Sequence, residues 1–233
     1  VLATETRDHN SCVAVIMADY DDEDEEGVPG IGTYEGDRDP NTQERHGRGR
    51  AELKNGDVYE GEYQNGKRHG QGIYRFKNKA RYEGGYAENK KHGHGTFWYP
   101  DGSIYEGGWV DDVPHGKGTY TYPNGDTYEG DWVAGLKEGS GVYFYDETGV
   151  KYEGEWKAGK MEGQGTYLFD GHKYVGAFTE DQPLGDGKFQ FDHGAEQEGR
   201  FVVRAAEDAE AAIKAKWVGG TVNNGGDEQP QEN

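Results

Sequence analysis

An all-β fold follows from this sequence: an elongated, single-layer, twisted antiparallel sheet of stacked β-hairpins. Three observations point there. A Gly-x-Gly pair recurs, beginning at Gly47, Gly70, Gly93, Gly116, Gly139, Gly163 and Gly185, in steps of 23, 23, 23, 23, 24 and 22 residues. A Tyr-x-Gly core recurs in phase with it, at Tyr34, Tyr59, Tyr82, Tyr105, Tyr128, Tyr152 and Tyr174, with Gln197-Glu198-Gly199 as a worn eighth copy. Both motifs alternate with period two, and Asn-Gly or Asp-Gly dipeptides sit between them. A fixed period of this length marks a repeat array, and two-residue alternation is strand logic.

The chain divides into four parts. Residues 1–30 carry no periodicity, and seven of the eight residues from Asp19 to Glu26 are acidic. Charge at that density repels itself and buries no apolar area, so a disordered acidic arm is expected. Residues 31–201 hold seven clear repeats and the degenerate eighth. Here Tyr59, Gly61 and Tyr63 share one strand face while Glu60 and Glu62 take the other. Asn55-Gly56, Asp101-Gly102 and Asn124-Gly125 read as type I′ hairpin turns, which need positive φ at two successive residues. From residue 202 the pattern stops. Ala205 to Lys216 is rich in alanine, with Val202, Ala206, Ala209 and Ile213 at three- and four-residue spacing, so residues 202–218 are expected to form a short helix capping the open end of the sheet. Residues 219–233 read as a disordered, glycine-rich acidic tail.

The two motifs explain each other. A strand bearing Gly-x-Gly leaves a trough without side chains, and a ring from the Tyr-x-Gly strand of the neighbouring hairpin can lie in it. The structural set is therefore Tyr59 and Gly61, Tyr82 and Gly84, Tyr105 and Gly107, Tyr128 and Gly130, Tyr152 and Gly154. Trp109, Trp132 and Trp156 stand four residues after the tyrosine. One such hairpin cannot bury its face alone, so stacking is obligatory.

Composition sets the limits on function. Glycine supplies 40 of 233 residues and tyrosine 17, so the core has to be aromatic. The formal charge of −20 argues against nucleic acid as a partner, which calls for a basic footprint. The one cysteine, Cys12, gives no disulfide framework within the chain and fits a reducing compartment. No apolar run approaches the roughly 18 residues needed to span a bilayer as a helix.

These residues resemble the MORN family (membrane occupation and recognition nexus repeats), whose unit is near 23 residues with a Tyr-x-Gly-x-Trp core. The likeness covers about 170 residues. More narrowly, Glu44-Arg45-His46-Gly47-Arg48-Gly49-Arg50-Ala51, Asn55-Gly56-Asp57-Val58-Tyr59-Glu60-Gly61 and Gly66-Lys67-Arg68-His69-Gly70-Gln71-Gly72-Ile73-Tyr74 are similar to MORN-repeat components of the radial spoke head in motile cilia and flagella. An acidic segment leading into Gly32-Thr33-Tyr34-Glu35-Gly36 is similar as well. That resemblance implies a non-enzymatic axonemal scaffold, with other radial spoke head proteins as partners and central-pair projections facing it. The departures are Gln197, where the eighth core has lost its tyrosine, and Val175, where the family usually has glutamate.

Other chemistry finds little support. His46, His69, His92 and His115 each precede a glycine pair, but successive copies lie about 10 Å apart along the sheet, too far for one metal ion to bridge. No Gly-x-Gly pair continues into a dinucleotide or phosphate-binding loop. Ser11, Ser103 and Ser140 have no neighbouring base to activate them. Catalytic, metal and cofactor sites are therefore not expected.

Membrane lipid is the rival partner. From Arg38 to Lys91 there are 13 basic and 8 acidic residues, a local charge of +5 that could meet anionic head groups. A clearer signal lies opposite the ring face, where Trp98, Val142, Phe144 and Leu168 are apolar and earlier repeats carry Arg75 or polar residues. These four are the candidate protein interface. Open sheet edges also allow self-association.

Overall fold

The computed structural model describes residues 31–203 and 215–223. Sixteen strands follow one another in an antiparallel sheet whose order is the chain order, β1 to β16. The contacts divide the chain into two units, residues 1–137 and 138–233. The first holds β1 (Ile31–Arg38), β2 (Arg45–Leu53), β3 (Val58–Gln64), β4 (Lys67–Arg75), β5 (Arg81–Ala87), β6 (Lys90–Trp98), β7 (Ile104–Val110), β8 (Val113–Thr121) and β9 (Thr127–Val133). β10 (Leu136–Phe144) starts at the division. The second unit continues with β11 (Lys151–Lys157), β12 (Lys160–Phe169), β13 (His172–Thr179), β14 (Gln182–Phe191), β15 (Glu196–Val203) and β16 (Ala215–Asn223).

Odd-numbered strands β1 to β13 carry Tyr-x-Gly and even-numbered strands β2 to β14 carry Gly-x-Gly. Their register places glycine against glycine. In the first unit, Gly49 opposes Gly61, Gly61 opposes Gly72, and the line continues through Gly84, Gly95, Gly107, Gly118 and Gly130. The second unit has its own line through Gly141, Gly154, Gly165, Gly176 and Gly187 to Gly199. One tyrosine ring lies across the step inside each hairpin, as Tyr59 does at Gly61 and Gly72: a methyl added at Gly72 would stand 2.4 Å from the Tyr59 hydroxyl oxygen. The first glycine of each pair has a different task. Gly70 has φ of 60°, at the point where the β3–β4 register shifts, so it is the left-handed residue of a bulge.

The rings interlock from repeat to repeat. Tyr105 is edge-on to Trp109 of its own strand (5.2 Å, 89°) and to Trp132 of the next repeat (5.2 Å, 84°). Tyr59 sits likewise between Tyr63 and Tyr86, Tyr82 between Tyr86 and Trp109, and Tyr152 between Trp156 and Phe178. Each such pair contributes about 0.5–1.5 kcal/mol beyond the area it buries. Several polar ends are satisfied along the way. The Tyr105 hydroxyl donates to the Gly108 carbonyl (3.0 Å), and the indole N–H groups of Trp109, Trp132 and Trp156 donate to the carbonyls of Gly95, Gly118 and Gly141.

Turns differ from expectation. Gly56 and not Asn55 has positive φ, and Gly56 N–H donates to the Leu53 carbonyl while Leu53 N–H donates to the Asp57 carbonyl. This is a type I turn closed by a left-handed glycine, and Asp101-Gly102 and Asn124-Gly125 follow it with positive φ at glycine alone. The two-residue turns with positive φ twice lie on the other side of each hairpin, at Asn65-Gly66, Glu88-Asn89, Asp111-Asp112, Ala134-Gly135, Ala158-Gly159 and Glu180-Asp181. Glu88 and Ala134 gave no sequence warning of this. Each of these turns is tied to the preceding repeat, as Asn89 N–H is to the Arg68 carbonyl (3.0 Å) and Asp112 N–H to the Lys91 carbonyl (3.0 Å).

The capping helix expected over residues 202–218 is not supported. Val202 and Val203 belong to β15, residues 204–214 lie outside the described residues, and Ala215 onward is β16. β16 also takes in residues 219–223 of the expected disordered tail. The reason is the missing tyrosine at Gln197. Trp217 supplies the ring instead, so that a methyl at Gly199 would stand 2.5 Å from its Cζ2. Trp217 also opposes Phe201, and Gly219 continues the glycine line opposite Gly199. The acidic arm, residues 1–30, lies outside the described residues, as do residues 224–233 of the tail.

Candidate protein interface

The sheet has two faces of different character. On the ring face Tyr59, Tyr82, Tyr105, Tyr128, Tyr152 and Tyr174 are at most 1% exposed, and Trp109, Trp132 and Trp156 at most 3%. These are the residues expected to build the repeat. Burial raises the pKa of Tyr82 and Tyr105 well above the ordinary phenol value. Tyr174, whose hydroxyl oxygen has no hydrogen-bond partner, is pushed up to about 12 by the same cause.

Sequence reasoning missed a set of buried cations on this face. Arg68, Lys91 and Lys137 are 7%, 2% and 3% exposed. Each stands two residues before a glycine pair, the position Pro114 and Met161 hold in other repeats. Lys91 Nζ lies 5.5 Å from the Phe97 ring centre and 5.7 Å from that of Trp109, and 3.5 Å from the Asp112 carboxylate. Arg68 lies over Tyr59, Tyr74 and Tyr86, and Lys137 over Tyr122 and Tyr128. Long stems with a cationic head cover aromatic surface well, and each cation over a desolvated ring adds roughly 1–2 kcal/mol. The signal was the exchange of Arg and Lys with Met and Pro at one register.

The opposite face carries the candidate interface. Trp98, Val142, Phe144 and Leu168 all point there and are half-buried. Trp98 belongs to the first unit, opposite Arg81 on one side and Ile104 on the other, with the Arg81 guanidinium 4.7 Å from its ring centre. Arg81 also pairs with Glu83. The other three belong to the second unit. Phe144 and Leu168 flank Lys151, whose Nζ is 6.0 Å from the Phe144 ring, and Val142 opposes Glu153. The second-unit trio is thus a strip crossed by Lys151 and edged by Lys173 and Glu153. Partial cover by cations leaves half-open apolar surface with a polar border, which is the make-up of an interface core and rim.

Part of the basic stretch is paired or buried locally. Arg50 pairs with Glu52, Arg75 with Glu60 and Lys67 with Glu88, while Arg68 and Lys91 are buried on the ring face. The histidines do not converge; His92 approaches Asp111 at 3.8 Å, and among the described residues no group of three metal-ligating side chains forms. No described helix is long and apolar enough to cross a membrane.

Comparison with known proteins matches this geometry at the level of the repeat. The family model of the MORN repeat fits five units, residues 59–81, 82–104, 105–127, 128–148 and 152–172. Among curated proteins, the chain is similar to a mouse (Mus musculus) protein described as radial spoke head 1 homolog. It is 52% identical over 50 residues, 21% of this chain and 16% of that protein, so the match spans well under a fifth of the relative. Among solved structures, the TCP domain of Drosophila melanogaster SAS-4, in complex with a proline-rich motif of Ana2, aligns with a TM-score of 0.44 and 14% identity, over 65% of this chain and 83% of that domain. A second structure, of the TCP10c domain of the same Drosophila protein, gives 0.31 and 11%, over 66% and 86%. Glycine lines, interlocked rings and five matched units together identify residues 59–172 of the chain as an array of MORN repeats.

Proposed function

We propose that this protein is a non-enzymatic scaffold of the axonemal radial spoke head, joining spoke-head proteins and supporting ciliary and flagellar motility. The likeness to a radial spoke head 1 homolog over 50 residues is the observation that carries the reading. The geometry supports it. The described repeats keep a half-open apolar strip on the face away from the core, open to a partner protein. Trp98, Val142, Phe144 and Leu168 are the residues through which spoke-head partners dock. Central-pair projections are the structures such a head would face.

A phosphoinositide-binding adaptor is the alternative, and the ion pairs within the basic stretch weigh against it. Detergent extraction of cilia carrying a tagged copy separates the two. Retention with the demembranated axoneme, and release by high salt, is the expected result. Release with the membrane fraction would refute the scaffold reading. The interface has its own test: Trp98→Glu with Phe144→Glu should leave the fold intact and abolish capture of spoke-head partners, and unchanged capture would remove these residues from the interface.

A further inference from the structure

We propose that copies of this chain join head to tail, the outer edge of β16 on one copy pairing with the outer edge of β1 on the next, both edges being unpaired among the described residues. Strand type is the first reason. β1 is a Tyr-x-Gly strand, and every other Tyr-x-Gly strand in either unit has a glycine-bearing strand before it. Among the described residues β16 stands at the end of the order, with Gly219 on the glycine line and no strand paired to its outer edge. Joining the two edges would set glycine opposite glycine, as the chain does internally at β2–β3, β4–β5, β6–β7 and β8–β9, each time with no register shift.

Burial is the second reason. Tyr34 is half-buried, while its equivalents from Tyr59 to Tyr174 are at most 1% exposed. Trp217 is half-buried, while Trp109, Trp132 and Trp156 are at most 3% exposed. Tyr34 already covers Gly49, and Trp217 already covers Gly199, so each ring is packed on its inner side and open on its outer one.

Register and charge are the third. Extending the glycine line sets Gly219 opposite Gly36, Val218 opposite Asp37 and Trp217 opposite Arg38. The Arg38 guanidinium, now 4.9 Å from the Tyr34 ring centre, then lies beside a second ring, as Arg68 does in the interior. Pairing of β1 with its own copy about Gly36 would instead set Glu35 against Asp37, and like charges directly opposite destabilise a sheet. A contact between two different edges is heterologous, so it does not stop at a dimer. The inference concerns the sheet edges and stands whether or not the spoke-head reading does.

The test uses the full chain in a Cys12→Ser background with Val218→Cys, Asp37→Cys or both, treated with a short thiol-to-thiol cross-linker. The double variant should give denatured species at two, three and four times 25.9 kDa. The two single variants mixed should give a cross-linked dimer, and each alone should remain monomeric. A dimer from either single variant alone, or a double variant that forms no intermolecular species, would overturn the proposal. Sedimentation of the unmodified chain provides a check free of substitution: the mean mass should climb past that of a dimer as concentration rises, and a mass fixed at one chain would overturn it equally.

Discussion

Gly118→Ala adds a single methyl group, yet it should unravel a large part of the local packing. The new carbon would stand 2.5 Å from the Tyr105 hydroxyl oxygen, 2.7 Å from Cζ and 2.8 Å from Cε2, against ordinary carbon contacts of about 3.5–4.0 Å. The ring must therefore retreat by about 1 Å. It has nowhere to go, being fully buried and edge-on to both Trp109 and Trp132 at 5.2 Å. Retreat breaks the hydroxyl bond to Gly108, worth about 1 kcal/mol, and weakens two ring pairs of about 0.5–1.5 kcal/mol each. A loss of about 2–4 kcal/mol is expected, within or slightly above the usual range for overpacking. Urea unfolding followed by tryptophan fluorescence reads it as a midpoint lowered by about 1–2 M, for a slope near 2 kcal/mol/M. The deciding measurement repeats the change in a Tyr105→Leu background, where no ring overlies Gly118. There the methyl should be nearly neutral, since alanine is otherwise the better strand residue. An equal penalty in both backgrounds would refute the claim that the ring dictates the glycine.

Three further outcomes are expected. Tyr82, Tyr105 and Tyr174 are held above the unfolded phenol pKa, so the native state binds their protons more tightly; stability should be full below pH ~10 and fall above it by up to about 1.4 kcal/mol per pH unit per tyrosine, read by alkaline titration of absorbance against unfolding. Lys91→Ala removes a buried stem from three rings and a cation from Asp112 and should lower stability by about 2–4 kcal/mol, whereas Lys91→Met, the residue found at position 161, should recover at least half of that loss in the same urea assay. Ala134 holds φ of 49° in a two-residue turn, so Ala134→Asn should raise the melting midpoint, with a gain of about 0.5–1 kcal/mol from a residue that tolerates this conformation.

The ring column was legible because aromatic residues, glycine and strand alternation all report the same face. Tyr59, Gly61 and Tyr63 could hardly be placed otherwise once the 23-residue step was seen. Two-residue turns such as Glu88-Asn89 were not legible, since their conformation is forced by the strands on either side and not by turn-forming side chains. Arg68 and Lys91 escaped for a related reason: charge suggests solvent, and only the rings stacked from three strands make a cation's burial favourable. Alanine content near residue 210 spoke for a helix, but Trp217, Val218, Thr221 and Val222 form a strand-like run, and the vacancy at Gln197 gave that run a place to pair. Strand alternation was enough to place Trp98, Phe144 and Leu168 opposite the ring face; the Lys151 between the last two was invisible, because sequence spacing does not show which cross-strand neighbour stands over a ring.

The two sides on which the hairpins turn have unequal histories available to them. On one side Asn65-Gly66, Glu88-Asn89, Asp111-Asp112, Ala134-Gly135 and Glu180-Asp181 reverse the chain in two residues, each stapled by a backbone bond to an earlier strand, so a single residue inserted at any of them would unpick two repeats at once. On the other, lengths already vary: Tyr145 and Val150 close over four residues, Leu53 and Asp57 over three, Phe169 and His172 over two. The departures from 23 in the spacing of the glycine pairs, 24 and then 22, arise there. Growth, trimming or the grafting of foreign segments is thus open to one flank, and a peptide epitope spliced between Glu147 and Thr148 leaves the stapled flank untouched. New recognition can be written along that flank while the other keeps the repeats in step.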